Sequence, residues 1–229
     1  MARPADPNAK EALVAAARAE FARRGLVGAR IEDITAACGL SKGSFYLHFS
    51  SKEALFGELV EAFLGAIAKS DDSRERRMSD FFAEHGSITR RDLEDHSARY
   101  HTLMELEAAE DRRILEHIWE YRDVMAVLLR GAQGTKFEGA IWEITDREIE
   151  RIKQNFDRFQ GEHSCRTDIP PEVFGSLIVG TYVLLGMRMS RMTEKPDLAE
   201  WARSLHTLIR EGSIPPEQSP EVRPSRSQP

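Results

Sequence analysis

A helix-turn-helix pattern occupies residues 31–52, IEDITAACGLSKGSFYLHFSSK. The apolar residues at its start recur at helical spacing, and Gly39 follows them with the freedom to take the left-handed backbone conformation that reverses a chain. Ser41 then stands where an N-cap belongs, and Phe45 and Phe49 lie one turn apart on one face of a third short helix. Two short helices joined by a turn of about three residues that includes Gly are the defining feature of this unit.

The segments that flank this unit also have helical spacing. Leu13 and Phe21 lie two turns apart and predict a first amphipathic helix, which we expect to end at Gly25. After the unit, Ser50 and Glu53 match a capping box and predict the start of a longer fourth helix. Apolar residues of the first helix would hold the third helix at a fixed angle.

The remainder of the sequence shows no clean strand alternation, so the predicted fold class is all-α. A polar break at residues 70–78 predicts a hinge or loop between an N-terminal unit and a larger C-terminal body. Thr89 and Thr145 stand at predicted helix starts. Pro171 and Pro196 are expected to open the last two helices.

These patterns divide the chain into three parts. Residues 8–52 form the predicted helix-turn-helix domain, and residues 53–211 form a larger helical domain. Residues 212–229 hold five of the ten prolines, and so polar and Pro-rich a segment is expected to be a flexible tail.

The composition is that of a globular protein, with 229 residues, 41% hydrophobic and 31% charged. Only Cys38 and Cys165 are present, and neither forms part of a disulfide framework, which favours a reducing compartment. The N-terminus lacks the apolar core of a signal peptide, so a cytoplasmic protein is expected. The apolar run at residues 173–187 is shorter than the roughly 20 residues of a membrane span, which predicts a buried helix and no membrane.

The charge is distributed unevenly along the chain. The net charge is −6, yet residues 1–52 carry eight Lys and Arg against five acidic residues. The remainder carries 24 basic and 33 acidic residues. A basic end on an acidic body is typical of a protein whose one end meets a polyanion.

Two short motifs carry a family resemblance. Residues 39–49, GLSKGSFYLHF, and residues 51–55, SKEAL, resemble the N-terminal signature of the TetR family of transcriptional regulators. The upstream residues 32–37, EDITAA, fit the same pattern. The resemblance covers roughly residues 10–60 and implies a dimeric, sequence-specific DNA-binding regulator.

The resemblance also implies which residues contact DNA. The positions of Lys42, Gly43 and Ser44 approach base edges in the major groove, as the N-terminal residues of a recognition helix do. One position departs from the family, because Arg30 stands where Thr or Ser usually caps the second helix; an arginine can still reach a phosphate. The complete set predicted to lie at the DNA is Arg30, Ser41, Lys42, Gly43, Ser44, Tyr46, His48 and Lys52.

In the resembled family the C-terminal domain encloses a small-molecule pocket, and its final helices pair across a two-fold axis. We therefore expect a homodimer through residues 172–210, a double-stranded, pseudo-palindromic operator and a small apolar or aromatic effector. An alternative is the same fold controlled by a protein partner or acting without a ligand. The residues expected to line an effector pocket are Tyr100, Met104, Ile118, Tyr121, Met125, Trp142, Phe156 and Ile178.

Other chemistries find no support in the sequence. His96, His101 and His117 lie near glutamates, but no Glu-x-x-His pair of a di-metal bundle occurs in the sequence, so neither a metal nor another cofactor is expected. The sequence also lacks the nucleophile-elbow, phosphate-loop and zinc-protease motifs. We expect a regulator and not an enzyme.

Overall fold

Ten α-helices make up the regular secondary structure of residues 7–86, 88–161 and 167–213, the part of the chain that the computed structural model describes. The described residues contain no strand, which confirms the predicted all-α class. The helices are α1 (Pro7–Gly28), α2 (Ile31–Ala37), α3 (Lys42–His48), α4 (Lys52–His85), α5 (Arg90–Glu94), α6 (Ala98–Glu120), α7 (Arg122–Arg130), α8 (Ala140–Gly161), α9 (Pro171–Met189) and α10 (Leu198–Ser213).

Helix α1 is interrupted where its end was predicted. Gly25 leaves the helical conformation at φ 69° and ψ 172°, and a short last turn follows as far as Gly28. The backbone N–H of Leu26 donates to the carbonyl of Gly131 at 2.9 Å. The kink therefore joins α1 directly to the end of α7.

The predicted break at residues 70–78 is wrong, because α4 runs without interruption for 34 residues. Some of the polar residues in this stretch face α6, and the others are exposed. Arg74 pairs with Asp111 of α6 at 3.2 Å, and Arg77 pairs with Glu110 at 3.2 Å. A helix whose inner face is stabilised by ion pairs lacks the apolar stripe from which a helix is predicted.

Two predicted caps are also displaced. Ser51, not Ser50, caps α4, and its hydroxyl accepts the backbone N–H of Ala54 at 3.0 Å. Thr145 lies inside α8, whose start at residue 140 follows a Gly with positive φ. By contrast, Thr89 forms the predicted start of α5, with a complete capping box to Asp92.

The main hydrophobic core is shared between the N-terminal helices and the C-terminal body. Phe21 of α1 meets Phe56 of α4 edge to face at 5.5 Å, and Phe56 meets Phe137 in the same manner at 5.0 Å. Val124 and Val127 of α7 belong to the same cluster. A second, smaller core lies among α6, α7, α9 and α10 and contains Leu115, Ile118, Met125, Met189, Leu198 and Ala202.

The last two helices begin close to the predicted prolines. Helix α9 starts at Pro171, and α10 starts at residue 198, where Asp197 accepts the backbone N–H groups of Ala199 and Glu200. Helix α10 extends to Ser213. Cys165 and the remainder of the predicted tail, residues 214–229, lie outside the described residues.

Candidate nucleic-acid interface

Helix α3 is held in place by the aromatic residues predicted to anchor it. Phe45 is fully buried and Phe49 nearly so, and both belong to the core cluster that contains Phe21 and Ile34. Because these side chains occupy one face of a seven-residue helix, its opposite face points away from the protein. The predicted anchoring of the third helix is confirmed.

The turn before α3 sets the direction in which it leaves α2. Gly39 has a φ of 68°, a conformation that costs other residues strain. Past this reversal, the N–H of Leu40 donates to the carbonyl of Thr35 at 2.9 Å. Ser41 then caps α3 as predicted, and its hydroxyl accepts the N–H of Ser44 at 3.1 Å.

The outward face of α3 contains most of the residues predicted to reach the bases. Lys42 and Gly43 are exposed, and the side chain of Tyr46 is 51% exposed. A Cβ atom built on Gly43 would meet only the hydroxyl oxygen of Ser41, at 3.6 Å. The bare backbone at Gly43 therefore leaves an open notch at the surface, which a large molecule can approach closely.

One residue on this face was missed from the sequence. Leu47 is 62% exposed and lies between Tyr46 and His48 in the last turn of α3. An apolar residue in a short amphipathic helix is expected to face the core, so no sequence pattern predicts that Leu47 is exposed. Its exposure follows from the register that Phe45 and Phe49 impose.

Lys42 is engaged by an acidic neighbour at the same surface. Its ammonium lies 2.6 Å from a carboxylate oxygen of Glu32 in α2, and both side chains are about half exposed. This hydrogen bond raises the pKa of Lys42 and lowers the pKa of Glu32. Arg30 approaches the other oxygen of Glu32 at 3.9 Å. Glu32 thus lies between two predicted DNA contacts.

Arg30 occupies the N-cap position of α2 without capping it. Its backbone is extended, and its side chain makes no hydrogen bond to the first turn of the helix. The guanidinium is two-thirds exposed. The guanidinium is therefore available to an anion at this surface. The free backbone N–H groups at the uncapped start of α2 are available to an anion as well.

Lys52 has a structural partner that the sequence did not indicate. Its ammonium donates to the carbonyl oxygens of Val27 and Ala29, each at 2.8 Å. These carbonyls lie at and just beyond the end of α1, where helix carbonyls lack intrahelical partners. Lys52 therefore ties α4 to α1 and retains a third N–H for another acceptor.

His48 is only partly available. Its side chain is half-buried, and its Nε2 atom is buried with no hydrogen-bond partner among the described residues. Ser44 is half-buried as well. The structure thus divides the predicted contacts into an exposed group, with Arg30, Lys42 and Tyr46 as its long side chains, and a recessed group.

The residues predicted to line an effector pocket do not meet around one cavity. Ile118 and Met125 are packed together in the second core, whereas Tyr121 packs against the main core. Phe156 stacks on Phe174 at 4.0 Å. Tyr100 and Ile178 are buried, and Met104 is half-buried, at other points of the body.

Trp142 does not fit a pocket within one chain, because its side chain is 70% exposed at the start of α8. Two concavities, of about 290 and 540 Å³, lie along α1. The larger is lined by the ends of α1 and α7, among them Arg24 and Arg130. None of the eight predicted effector residues lines either of them.

The sequence also missed an ionic cluster inside the C-terminal body. Asp111 and Glu110 of α6 are almost fully buried, and Arg74 reaches Asp111 from α4. His206 of α10 places Nε2 at 2.7 Å from Glu107 and Nδ1 at 3.4 Å from Asp111. The interior is therefore not purely apolar. The cluster joins three helices through charged groups.

Helix α9 has two apolar faces but only one of them is covered. Gly175 and Gly186 pack closely on the body, since a Cβ on either would collide with Ile149 or Met125. On the other face Leu177 and Leu184 are 62% and 65% exposed. By length and composition this is the one helix among the described residues that could cross a membrane, yet one side of it is fitted to α8 and α7.

Comparison with known sequences places the match on the N-terminal helices. A family model described as "Bacterial regulatory proteins, tetR family" matches residues 13–59. The uncharacterized HTH-type transcriptional regulator YerO of Bacillus subtilis is 43% identical over 56 residues, which cover 24% of this chain and 19% of YerO. The HTH-type transcriptional repressor DhaR of a Mycobacterium species is 38% identical over 71 residues, covering 28% and 36%. The matched segments thus span about a fifth and about a third of these relatives, both of which are named as transcriptional regulators.

Comparison with solved structures extends the likeness to the whole fold. The transcriptional regulator FadR of Bacillus subtilis, solved in complex with stearoyl-CoA, superposes with a TM-score of 0.54 at 17% identity. The superposition covers 88% of this chain and 98% of FadR. At this identity the likeness concerns the fold, namely the N-terminal helix-turn-helix and the helical C-terminal body.

Proposed function

We propose that the chain, whose residues 13–59 match the TetR family model, is a cytoplasmic, dimeric repressor that binds a pseudo-palindromic operator and leaves it when a small apolar or aromatic molecule binds. The observation that carries the DNA-binding part is the outward face of α3. Phe45 and Phe49 fix the helix, and the open notch at Gly43 with the half-exposed ring of Tyr46 forms its surface. A short helix so presented matches the width of the major groove.

The phosphate contacts come from residues around this helix. Arg30 and Lys42 carry long, exposed cationic side chains at the same surface, and Lys52 has one N–H left after it binds two carbonyls of α1. Contacts of this kind position a protein on the duplex without reading sequence. The exposed Ser41 and the half-buried Ser44 and His48 complete the proposed interface.

The dimer is proposed through the uncovered face of α9 together with α10. Leu177 and Leu184 lie seven residues apart on this face, beside Val173, and Leu208 of α10 is exposed as well. Gly180 has no atom within 4 Å of a Cβ position, so a second backbone can approach it closely. A contiguous exposed apolar surface of this type marks an association site, and two-fold pairing would give the two α3 helices successive major grooves about 34 Å apart.

The effector is proposed to enter the C-terminal body among residues 100–182. Stearoyl-CoA, whose acyl chain is apolar, is bound to FadR. We propose an effector with a similarly apolar portion here, bound in a space that opens between the second core and the Phe156–Phe174 stack. In the described part of the chain these residues lie in separate packed clusters, so we propose that binding selects a more open arrangement of the helices. Trp142 is exposed, so it would contact an effector only at the surface of the domain.

The alternative proposal is control by a protein partner, or no control at all. The close packing of Ile118 and Met125 favours it, since a packed core has no ready space for a ligand. The two proposals differ in one measurement. Only the first expects added stearoyl-CoA or a smaller apolar compound to lower the affinity for an operator.

The proposal is tested by selecting an operator for the purified protein from a pool of random duplexes and measuring its affinity by fluorescence anisotropy. We expect salt-sensitive binding that exceeds binding to a scrambled duplex, with a weaker Kd for Tyr46→Ala and unchanged circular dichroism. Equal, weak binding to all duplexes would reject sequence-specific recognition. The matched control is Tyr182→Phe, which changes a tyrosine remote from α3.

A further inference from the structure

Leu47 is an apolar side chain exposed in the middle of the proposed DNA interface. It is 62% exposed, whereas Phe45 in the same helix is fully buried. Its neighbour on the outward face, Tyr46, carries a polar hydroxyl, but Leu47 offers only methyl groups. Burial of an exposed leucine against another apolar group is favourable, because it removes apolar surface from water.

The position of Leu47 relative to Gly43 defines what it can reach. The two residues are four apart in α3 and therefore lie one above the other on the same strip of the helix. Gly43 has no side chain, and nothing except the Ser41 hydroxyl lies near its missing Cβ. The notch at Gly43 lets the helix approach a groove floor closely, so that Leu47 comes to the depth of the base edges.

The major groove presents a single apolar group among its base edges, the 5-methyl of thymine. Every other exposed edge is a hydrogen-bond donor or acceptor, or a polarised C–H, and pairs poorly with leucine. Phosphates pair poorly with it as well. The chemistry of Leu47 therefore matches one base.

We propose that Leu47 is a specificity-determining residue, which packs on the 5-methyl group of a thymine in each half of the operator. This inference rests on the proposed function, because it assigns a base preference to the same helix face. The preference follows from the methyl contact alone. It acts beside the phosphate contacts that Arg30 and Lys42 are proposed to make.

The test replaces each thymine of a selected operator with deoxyuridine, one symmetric pair at a time, and measures the affinity of the wild-type protein by anisotropy. Deoxyuridine removes only the methyl group and leaves the base pairing intact. Burial of one methyl-sized group contributes about 0.8 kcal/mol, which is about fourfold per half-site and about 15-fold for both. We expect a loss of this size at one symmetric position.

Two variants assign the effect to Leu47. Leu47→Ala should bind the thymine operator more weakly and lose its sensitivity to deoxyuridine at that position. Val27→Ala alters an equally exposed apolar residue outside α3 and should keep the wild-type pattern. A bound operator with no sensitive thymine, or a sensitivity that Leu47→Ala retains, would overturn this inference alone. Failure to select any operator would overturn the proposed function with it.

Discussion

The carboxylate of Glu32 lies 2.6 Å from the ammonium of Lys42, so an acidic group stands at the surface proposed to meet DNA. It also lies 3.9 Å from the guanidinium of Arg30. Phosphate oxygens must compete with Glu32 for both cations and are repelled by its charge. We therefore expect Glu32 to lower the affinity for DNA of any sequence, so that base contacts decide where the protein binds.

Replacing Glu32 with Gln should tighten binding to the operator and to unrelated DNA alike. The variant frees Lys42 and removes one repulsive charge, so we expect a gain of roughly three- to tenfold at low salt that diminishes as salt screens the interaction. Anisotropy titrations at several salt concentrations measure both effects. Glu150→Gln is the matched control, because Glu150 forms a similar exposed pair with Lys153 in α8; equal effects of the two variants would contradict the assignment.

Replacing Gly43 with Ala should weaken operator binding without destabilising the protein. The added methyl meets only the Ser41 hydroxyl at 3.6 Å within the chain, and alanine favours a helix over glycine by up to about 1 kcal/mol. On DNA the same methyl would fill the notch and hold the backbone away. Thermal unfolding measures the stability, and anisotropy measures the affinity for the operator. Gly65→Ala, within α4, is the control and should leave binding unchanged.

Replacing Leu177 with Glu should yield a monomer. The residue lies at the centre of the uncovered face of α9, where a buried, unpaired charge on each side of a two-fold interface is costly. Light scattering should then give half the wild-type mass, with operator binding reduced because two half-sites are no longer joined. Tyr46→Ala should remain dimeric while losing affinity. A monomeric wild-type protein at micromolar concentration would refute the proposed interface.

The sequence predicted those parts of the structure that depend on local apolar spacing. Phe45 and Phe49 define the buried face of α3, and the kink at Gly25 lies where the first helix was expected to end. The prediction from sequence failed where tertiary contacts override the usual preference of polar residues for the surface and of apolar residues for the core. The break predicted around Arg74 is helical because buried acids on α6 pair with it, and Leu47 is exposed because its neighbours fix the register.

Replacing Gly131 with Ala should destabilise the contact between the N-terminal helices and the body. A Cβ at this position would lie 3.0 Å from the Cα of Gly25 and 3.4 Å from the carbonyl of Val127, and these backbone atoms cannot rotate away. We expect a loss of about 1–3 kcal/mol in the free energy of unfolding, measured with urea. Gly65→Ala is again the control, since nothing lies within 4 Å of its Cβ position. Wild-type stability in Gly131→Ala would show that this backbone contact adapts freely.

His206 connects the last helix to the buried acids of α6. Burial opposes its protonation, but hydrogen bonds to Asp111 and Glu107 outweigh burial and raise the pKa of His206 from an ordinary 6.5 to about 9. In the unfolded chain the imidazole returns to its ordinary pKa. The folded state therefore binds a proton more tightly than the unfolded state, and this difference stabilises the fold below pH 6.5.

That stabilisation should disappear as the pH rises from about 6.5 to about 9, because the unfolded chain releases the proton first and the folded protein last. One pKa unit corresponds to about 1.4 kcal/mol, so the loss amounts to at most about 3.5 kcal/mol. Urea unfolding at intervals across this range measures it. His206→Gln keeps a hydrogen-bonding side chain but cannot be charged, so it should be less stable at pH 7 and show a flatter profile. If the wild-type and variant profiles ran parallel, His206 would not be the titrating group.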